Sequence, residues 1–170
     1  MKERVAILVV CTGNICRSPT GEGVLRHLAA KRGLGERVEI RSAGTHDYHV
    51  GDGPDPRAVK HARKRGYDLS PLRASQVSPA DFQRFDYILA MDRGHLRILR
   101  GMAPAGARAR VGLFLEASAR WKGEDVPDPY YGDVDAFERV LDMVEEAAER
   151  WLDRIQAELE PAAFRLQPPR

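Results

Sequence analysis

A cysteine and an arginine frame the segment Cys11-Thr12-Gly13-Asn14-Ile15-Cys16-Arg17-Ser18-Pro19. A thiolate is a strong nucleophile, and a guanidinium grips two oxygens of an oxyanion in a bidentate geometry that an ammonium cannot match. The apolar run Val5–Val10 precedes the cysteine, and a helical pattern follows the arginine. A short loop between strand and helix gathers backbone N–H groups, and the helix adds roughly half a positive charge. An oxyanion belongs at that point, and the same field favours a thiolate over a thiol. Ser18 can donate to the Cys11 sulfur and make it a better leaving group. Gly13 permits a tight turn, and Asn14 can brace the loop or adopt a left-handed backbone. The nucleotide-binding patterns G-x-x-x-x-G-K-[ST] and G-x-G-x-x-G are absent. A cysteine at a strand end is also a commonplace buried apolar residue, and the loop alone leaves that reading open.

A thiolate that attacks a phosphate ester expels an alkoxide or phenoxide, which needs a proton. The segment Val126-Pro127-Asp128-Pro129-Tyr130-Tyr131-Gly132-Asp133 supplies a candidate acid. Asp128 lies between two prolines that stiffen its loop, and Tyr130 and Tyr131 can flank an aromatic ring. Asp125 and Asp133 compete locally for the acid role, and an ordinary turn remains a further reading of the segment. Trp121 is expected near this loop. His27, His46, His49, His61 and His95 form no metal-ligand pattern such as H-E-x-x-H and read as surface or loop histidines. The run Lys60-His61-Ala62-Arg63-Lys64-Arg65 reads as a solvated helix face, with recruitment of acidic phosphopeptides as its functional alternative.

The elements that must hold these groups follow from periodicity. Continuous apolar runs alternate with helical patterns, which predicts α/β with a parallel sheet. Strands are expected at Val5–Val10, Val38–Ala43, Tyr87–Ala90 and Val111–Leu115. A helix is expected over Ser18–Lys31, with Ser18 as its cap and Pro19 in its first position. A short helix opens at Asp55–Pro56 and closes at Gly66, and another runs from an Asp92 cap to Arg100. The last helix shows one apolar face through Phe137, Val140, Leu141, Val144, Ala148, Trp151, Leu152, Ile155 and Leu159, with Asp135 and Glu138 as a capping pair. Gly21 and Gly23 weaken the first helix without an evident reason in the sequence. The long irregular stretches Gly44–Asp55 and Arg120–Val134 are the expected carriers of function.

The chain has 170 residues, 43% hydrophobic and 31% charged, with a net charge of +2. That fits one domain over residues 1–160 with a frayed tail at 161–170. The charge gives no reason for a nucleic-acid or membrane partner. No apolar run approaches the ~20 residues needed to span a bilayer. Two cysteines make no secreted disulfide framework, so a cytoplasmic location is expected.

Together, VCTGNICRSP and DPYYGD resemble the signatures of the low-molecular-weight protein tyrosine phosphatases. SAGTHDYHVG at Ser42–Gly51, DPRA at Asp55–Ala58 and DFQRFDYILAMD at Asp81–Asp92 are similar as well, in the family's order from Val5 to Trp151. The resemblance implies a three-layer α/β fold: a four-stranded parallel sheet flanked by helices, with a phosphate-binding loop after the first strand. It implies hydrolysis of protein phosphotyrosine without metal or cofactor. Cys11 attacks phosphorus, Asp128 protonates the leaving phenol and then serves as base for water, and Arg17 stabilises the transition state. Thr12, Gly13, Asn14, Ile15, Cys16 and Ser18 bind the phosphate, and Asn14, Ser18 and Ser42 support the loop. Ile15, Tyr48, Tyr130 and Tyr131 form the substrate pocket. Cys16 matches the family's second cysteine, which can form a disulfide with the nucleophile. The implied partners are phosphotyrosine proteins, with inorganic phosphate as product, and the expected state is a monomer. One departure stands out: Leu72 occupies the place where the family often carries a supporting His.

Rivals share the scaffold or the loop. A thiol-dependent arsenate reductase needs further cysteines, and the chain has none after Cys16. A protein-arginine phosphatase resembles this chain but carries Thr where Ile15 stands, and Ile15 offers an apolar wall suited to a phenol ring. A non-catalytic phosphate-binding module would have no need of Asp128.

Overall fold

A computed structural model describes residues 2–159; the expected frayed tail at 161–170 lies outside the described residues. The chain runs β1 (Val5–Cys11), α1 (Arg17–Lys31), β2 (Val38–Gly44), α2 (Pro56–Lys64), α3 (Asp81–Arg84), β3 (Tyr87–Ala90), α4 (Arg93–Met102), β4 (Arg110–Leu113), a 3-10 turn over Phe114–Ala117, and α5 (Val134–Glu158). The strands form one sheet in the order β2-β1-β3-β4, all pairs parallel. This is the expected four-stranded architecture.

β1 explains the layering. Its side chains alternate between two cores: Ile7 and Val9 join the core that includes residues of α1 and α5, while Leu8 and Val10 join Phe82, Phe85, Leu96 and Leu99 of α3, α4 and their flanks. A strand covered on both faces needs no polar side, hence the unbroken apolar run. β1 is central, and the chain order reverses beside it, so a crevice opens beyond its carboxyl end. Cys11 is its last residue. No helix among the described residues is long and apolar enough to cross a membrane.

Several expected boundaries shift for physical reasons. The fourth strand is Arg110–Leu113 rather than Val111–Leu115, because the chain turns into 3-10 geometry at Phe114. α3 was not expected; four residues are too few for periodicity to register. Ser18 does not cap α1. The cap position is Cys16, without a side-chain bond, and the Ser18 hydroxyl is engaged beneath the loop instead. Likewise Asp133, not Asp135, caps α5 by accepting from the Ala136 N–H at 3.2 Å. Asp55 and Asp92 cap α2 and α4 as expected, and Gly66 follows α2 with φ +92°. Gly21 and Gly23 acquire a reason here: a Cβ would stand 2.8 Å from Met91 Cε at the first and 2.2 Å from Leu69 Cδ2 at the second. A side chain at either position would force Met91 or Leu69 to move.

Candidate active site

The loop from Cys11 to Ser18 is tied by its carbonyls. Cys11 O accepts from the Thr45 N–H at 2.9 Å, Thr12 O from His46 at 3.1 Å, Ile15 O from Asp55 at 2.8 Å and Cys16 O from Thr20 at 3.3 Å. The N–H groups of residues 12–16 donate to no other group among the described residues. Backbone donors are seldom left unpaired inside a protein, so a run of free ones next to a buried thiol is a cradle for an oxyanion.

Asn14 is the only non-glycine residue with positive φ among the described residues, at 57°. Its side chain explains how that conformation is held. Nδ2 donates to Ser18 Oγ at 2.8 Å and to Ser42 Oγ at 2.9 Å, and Oδ1 accepts from the Ser75 N–H at 3.0 Å. Ser42 in turn donates to the buried Glu22 at 2.7 Å, which Arg26 neutralises at 2.7 Å. The Ser18 hydroxyl accepts from Asn14, and its proton faces Cys11 Sγ at 2.9 Å, with Ala43 O farther off at 3.4 Å. Thus Asn14, Ser18 and Ser42 come together as the sequence suggested. Glu22 and Ser75 were not anticipated. In the segment of Leu72, the Ser75 N–H supplies this contact to Asn14, while Leu72 packs on the core.

Arg17 is 4% exposed. Nη1 donates to Asp92 Oδ2 at 2.8 Å and to Val126 O at 3.0 Å, while Nη2 lies 3.4 Å from His95 Nε2 and 3.7 Å from Asp128 Oδ2. Asp92 therefore does two jobs: it caps α4 through the His95 N–H at 2.9 Å and anchors the arginine. Burial works against its ionisation, but the His95 N–H and Arg17 outweigh that and hold its carboxyl below the ordinary range. His95 is buried, which overturns the surface reading. Burial and the neighbouring Arg17 push its imidazole down to about 4. His61 is buried too. Its Nδ1 lies 2.6 Å from Glu138 and its ring stacks on Phe137. Together with Arg65, which pairs with Glu138, Asp142 and Glu145, it clamps α2 to α5, while Lys60, Arg63 and Lys64 stay exposed as the expected solvated face.

The acidic loop is folded over the same place. Asp128 Oδ1 accepts from the Tyr130 N–H at 3.0 Å, and its side chain is 49% exposed. Its competitors are engaged elsewhere: Asp125 accepts from the Arg93 N–H at 3.0 Å, and Asp133 caps α5. Arg57 braces this loop. It forks onto Asp55 at 3.1 and 2.8 Å, donates to Tyr130 O at 3.0 Å, and lies over the Tyr130 and Phe137 rings. The loop also hangs from the residue after β3, the Val126 N–H donating to Met91 O at 2.8 Å.

A cavity of about 310 Å³ lies between loop and acid, lined by Cys11, Thr12, Ile15, Arg17 and Asp128, with Tyr48, His49, Tyr130 and Tyr131 around them. Tyr48 and Tyr131 are 71% and 94% exposed. Every side chain expected in the pocket is there, and Gly13 and Cys16 also line it. Asn14, Ser18 and Ser42 are not among its lining residues; they brace the loop. Trp121 packs on the core and does not line the cavity. His49 was missed, having no partner in the sequence to mark it. Cys16 is a buried free thiol; burial, then the Asp55 carboxylate, push its ionisation up. A larger concavity of about 690 Å³ at the amino ends of β1 and β2 is lined by arginines and carboxylates and holds no nucleophile.

Comparison with known proteins gives one answer. Residues 6–161 match the model of the family described as low molecular weight phosphotyrosine protein phosphatase. The low molecular weight protein-tyrosine-phosphatase of Streptomyces coelicolor is 42% identical over 160 residues, covering 92% of this chain and 97% of the relative. The crystal structure of a protein tyrosine phosphatase from Entamoeba histolytica, with Hepes in the active site, superposes with a TM-score of 0.87 at 35% identity, covering 91% of this chain and 98% of that one. A Drosophila arginine phosphatase superposes with a TM-score of 0.83 at 31% identity, covering 88% and 97%. The chain belongs to the low molecular weight phosphotyrosine protein phosphatase family.

Proposed function

We propose that this protein hydrolyses phosphotyrosine in proteins through a phosphocysteine on Cys11, releasing inorganic phosphate. The observation that carries this reading is the Cys11 thiol, 2.9 Å from a hydroxyl donor at the head of a loop with unused N–H groups, facing the same cavity as Arg17 and Asp128. In the first step the Cys11 thiolate attacks phosphorus, the P–O bond to the phenol breaks, and Asp128 gives its proton to the leaving oxygen. In the second step water attacks phosphorus, Asp128 takes its proton, and the P–S bond breaks to return the thiolate, which the Ser18 hydroxyl stabilises. Arg17, held by Asp92 and Val126 O, and the loop N–H groups balance charge on the equatorial oxygens throughout.

Ile15 and the tyrosines favour an aryl ester over a guanidine phosphate. The likeness to an arginine phosphatase makes phosphoarginine the control that matters. The test is phosphate release from phosphotyrosine, phosphoserine and phosphoarginine by the purified protein and by Cys11→Ser. Fast release from phosphotyrosine, lost in Cys11→Ser with phosphate still bound, is the expected result. Activity retained without the thiol would remove the mechanism, and a preference for phosphoarginine would remove the substrate assignment. Cys16 serves as redox partner in this reading: peroxide oxidises Cys11 to a sulfenic acid, and the Cys16 thiol displaces water from it to form a disulfide.

A further inference from the structure

His95 and the Thr12 hydroxyl, strung on the Asp92 that anchors Arg17, are groups the two-step mechanism leaves unused. His95 Nδ1 lies 3.1 Å from Asp92 Oδ1, and His95 Nε2 lies 2.7 Å from Thr12 Oγ1. His95 Nδ1 has no hydrogen-bond partner among the described residues, so the tautomer follows from the charges beside the two nitrogens. Arg17 Nη2, 3.4 Å from Nε2, carries only donors. A ring with arginine at Nε2 and a carboxylate at Nδ1 keeps its proton on Nδ1 and offers Nε2 as an acceptor. The Thr12 hydroxyl therefore donates to His95. The oxygen of Thr12, a residue lining the cavity with Cys11, Arg17 and Asp128, is left with its lone pairs free to accept. The groups facing the imidazole are Arg17, Asp92, Asp128 and His46; burial beside Arg17 keeps it neutral at neutral pH.

An acceptor in a phosphate pocket is misplaced for phosphoryl oxygens, which want donors. The ester brings no proton of its own when fully ionised. The species that brings two is water in the second step. One proton goes to Asp128, and the other needs an acceptor. We propose that Thr12 orients the water that hydrolyses the phosphocysteine, and that His95 is the residue positioning Thr12 for it. The inference rests on the phosphatase reading above. No proton passes to Thr12: the water O–P bond forms, the P–S bond breaks, one proton reaches Asp128, and Thr12 accepts a hydrogen bond.

An alcohol that intercepts the phosphocysteine has one hydroxyl proton, which Asp128 takes, so it has no use for Thr12. The test is the product ratio with p-nitrophenyl phosphate as donor and glycerol as competing acceptor. In Thr12→Val the ratio of glycerol phosphate to inorganic phosphate should rise about tenfold, the worth of one hydrogen bond. Thr12→Ala should match it, and Thr12→Ser should restore the original ratio. His95→Asn, too short to reach Thr12, should raise the ratio as well, with no further rise when combined with Thr12→Val. The ratio comes only from active molecules, so partial unfolding does not move it. A merely structural role would slow both products alike. An unchanged ratio in Thr12→Val overturns the proposal. An unsubstituted protein that turns over labelled substrate yet carries no phosphate label on Cys11 after rapid quenching would instead overturn the covalent mechanism on which it rests.

Discussion

At the scale of single residues, the carboxylates of the acidic loop hold different tasks. Asp128 shows this best. Its two local rivals are spent on Arg93 and on the α5 cap, which leaves Asp128 as the carboxylate of this loop facing the cavity. Replacing Asp128 with Ala should therefore slow hydrolysis of alkyl phosphates by about 10²–10⁴-fold. Activated aryl esters, whose leaving groups need no proton, should lose far less in the first step. Comparing rates across leaving groups checks this, and equal losses would point to another acid. Cys16 is the opposite case, a thiol kept protonated by burial and by Asp55. Inactivation by peroxide should be largely reversed by reductant in the unsubstituted protein. In Cys16→Ala recovery should be poor, because nothing intercepts the sulfenic acid before it oxidises further.

At the scale of elements, the carboxyl ends of β1 and β3 bring the parts together. β1 delivers the loop, and the turn after β3 delivers Asp92, which caps α4 and fixes Arg17 at once. These two roles can be separated. Asparagine caps helices about as well as aspartate, but it is a weaker partner for a guanidinium. Asp92→Asn should leave thermal stability within a few degrees and lower kcat/KM by one to two orders of magnitude (about 1.5–3 kcal/mol, a charged hydrogen bond). Equal kcat/KM in the two proteins would mean that Val126 O and the loop hold Arg17 unaided. The approach of β2 to the loop is equally tight: a Cβ on Gly44 would stand 2.6 Å from Thr12 O. Much of this was legible. Asp92 announced its cap, and the loop its nucleophile. The arginine contact was not legible, because Asp92 and Arg17 lie far apart in the chain.

At the scale of the whole molecule, buried charge makes stability depend on pH. Asp86 is buried, and burial opposes its ionisation. The Ala6 N–H, Arg108 and Lys2 outweigh this and hold its carboxyl below the ordinary range. It binds its proton less readily folded than unfolded, so its contribution is present above the ordinary carboxylate range and lost as pH falls through the folded value. His95 acts in the same direction over a higher window. Unfolded, it takes up a proton below about 6.5; folded, only near about 4. Stability should fall by about 3 kcal/mol across that window, at 1.36 kcal/mol per unit. Denaturation midpoints measured from pH 7 to pH 4 should show the slope, and His95→Asn should flatten it. A slope that persists in the variant would assign it to other groups. The clamp of His61 and Arg65 on α5 belongs to this scale as well. The sequence showed the charges of that run, whereas only the packing of α2 on α5 showed that His61 and Arg65 face carboxylates.

The amino-acid sequence by itself determined the alternation of strand and helix and the strand that ends in Cys11, and it marked the candidate thiol, guanidinium and acids. Those features are written in neighbouring residues, where spacing and turn chemistry act over a few positions. The tertiary structure decided which hydroxyl serves the sulfur, which carboxylate anchors Arg17, and that His95 is a buried neutral partner of Thr12. It also showed that Ser75 braces Asn14 through its main-chain N–H. Those outcomes depend on residues brought together by the folding of distant segments, and hydrogen-bond partners chosen by distance and angle leave no periodic trace in the chain.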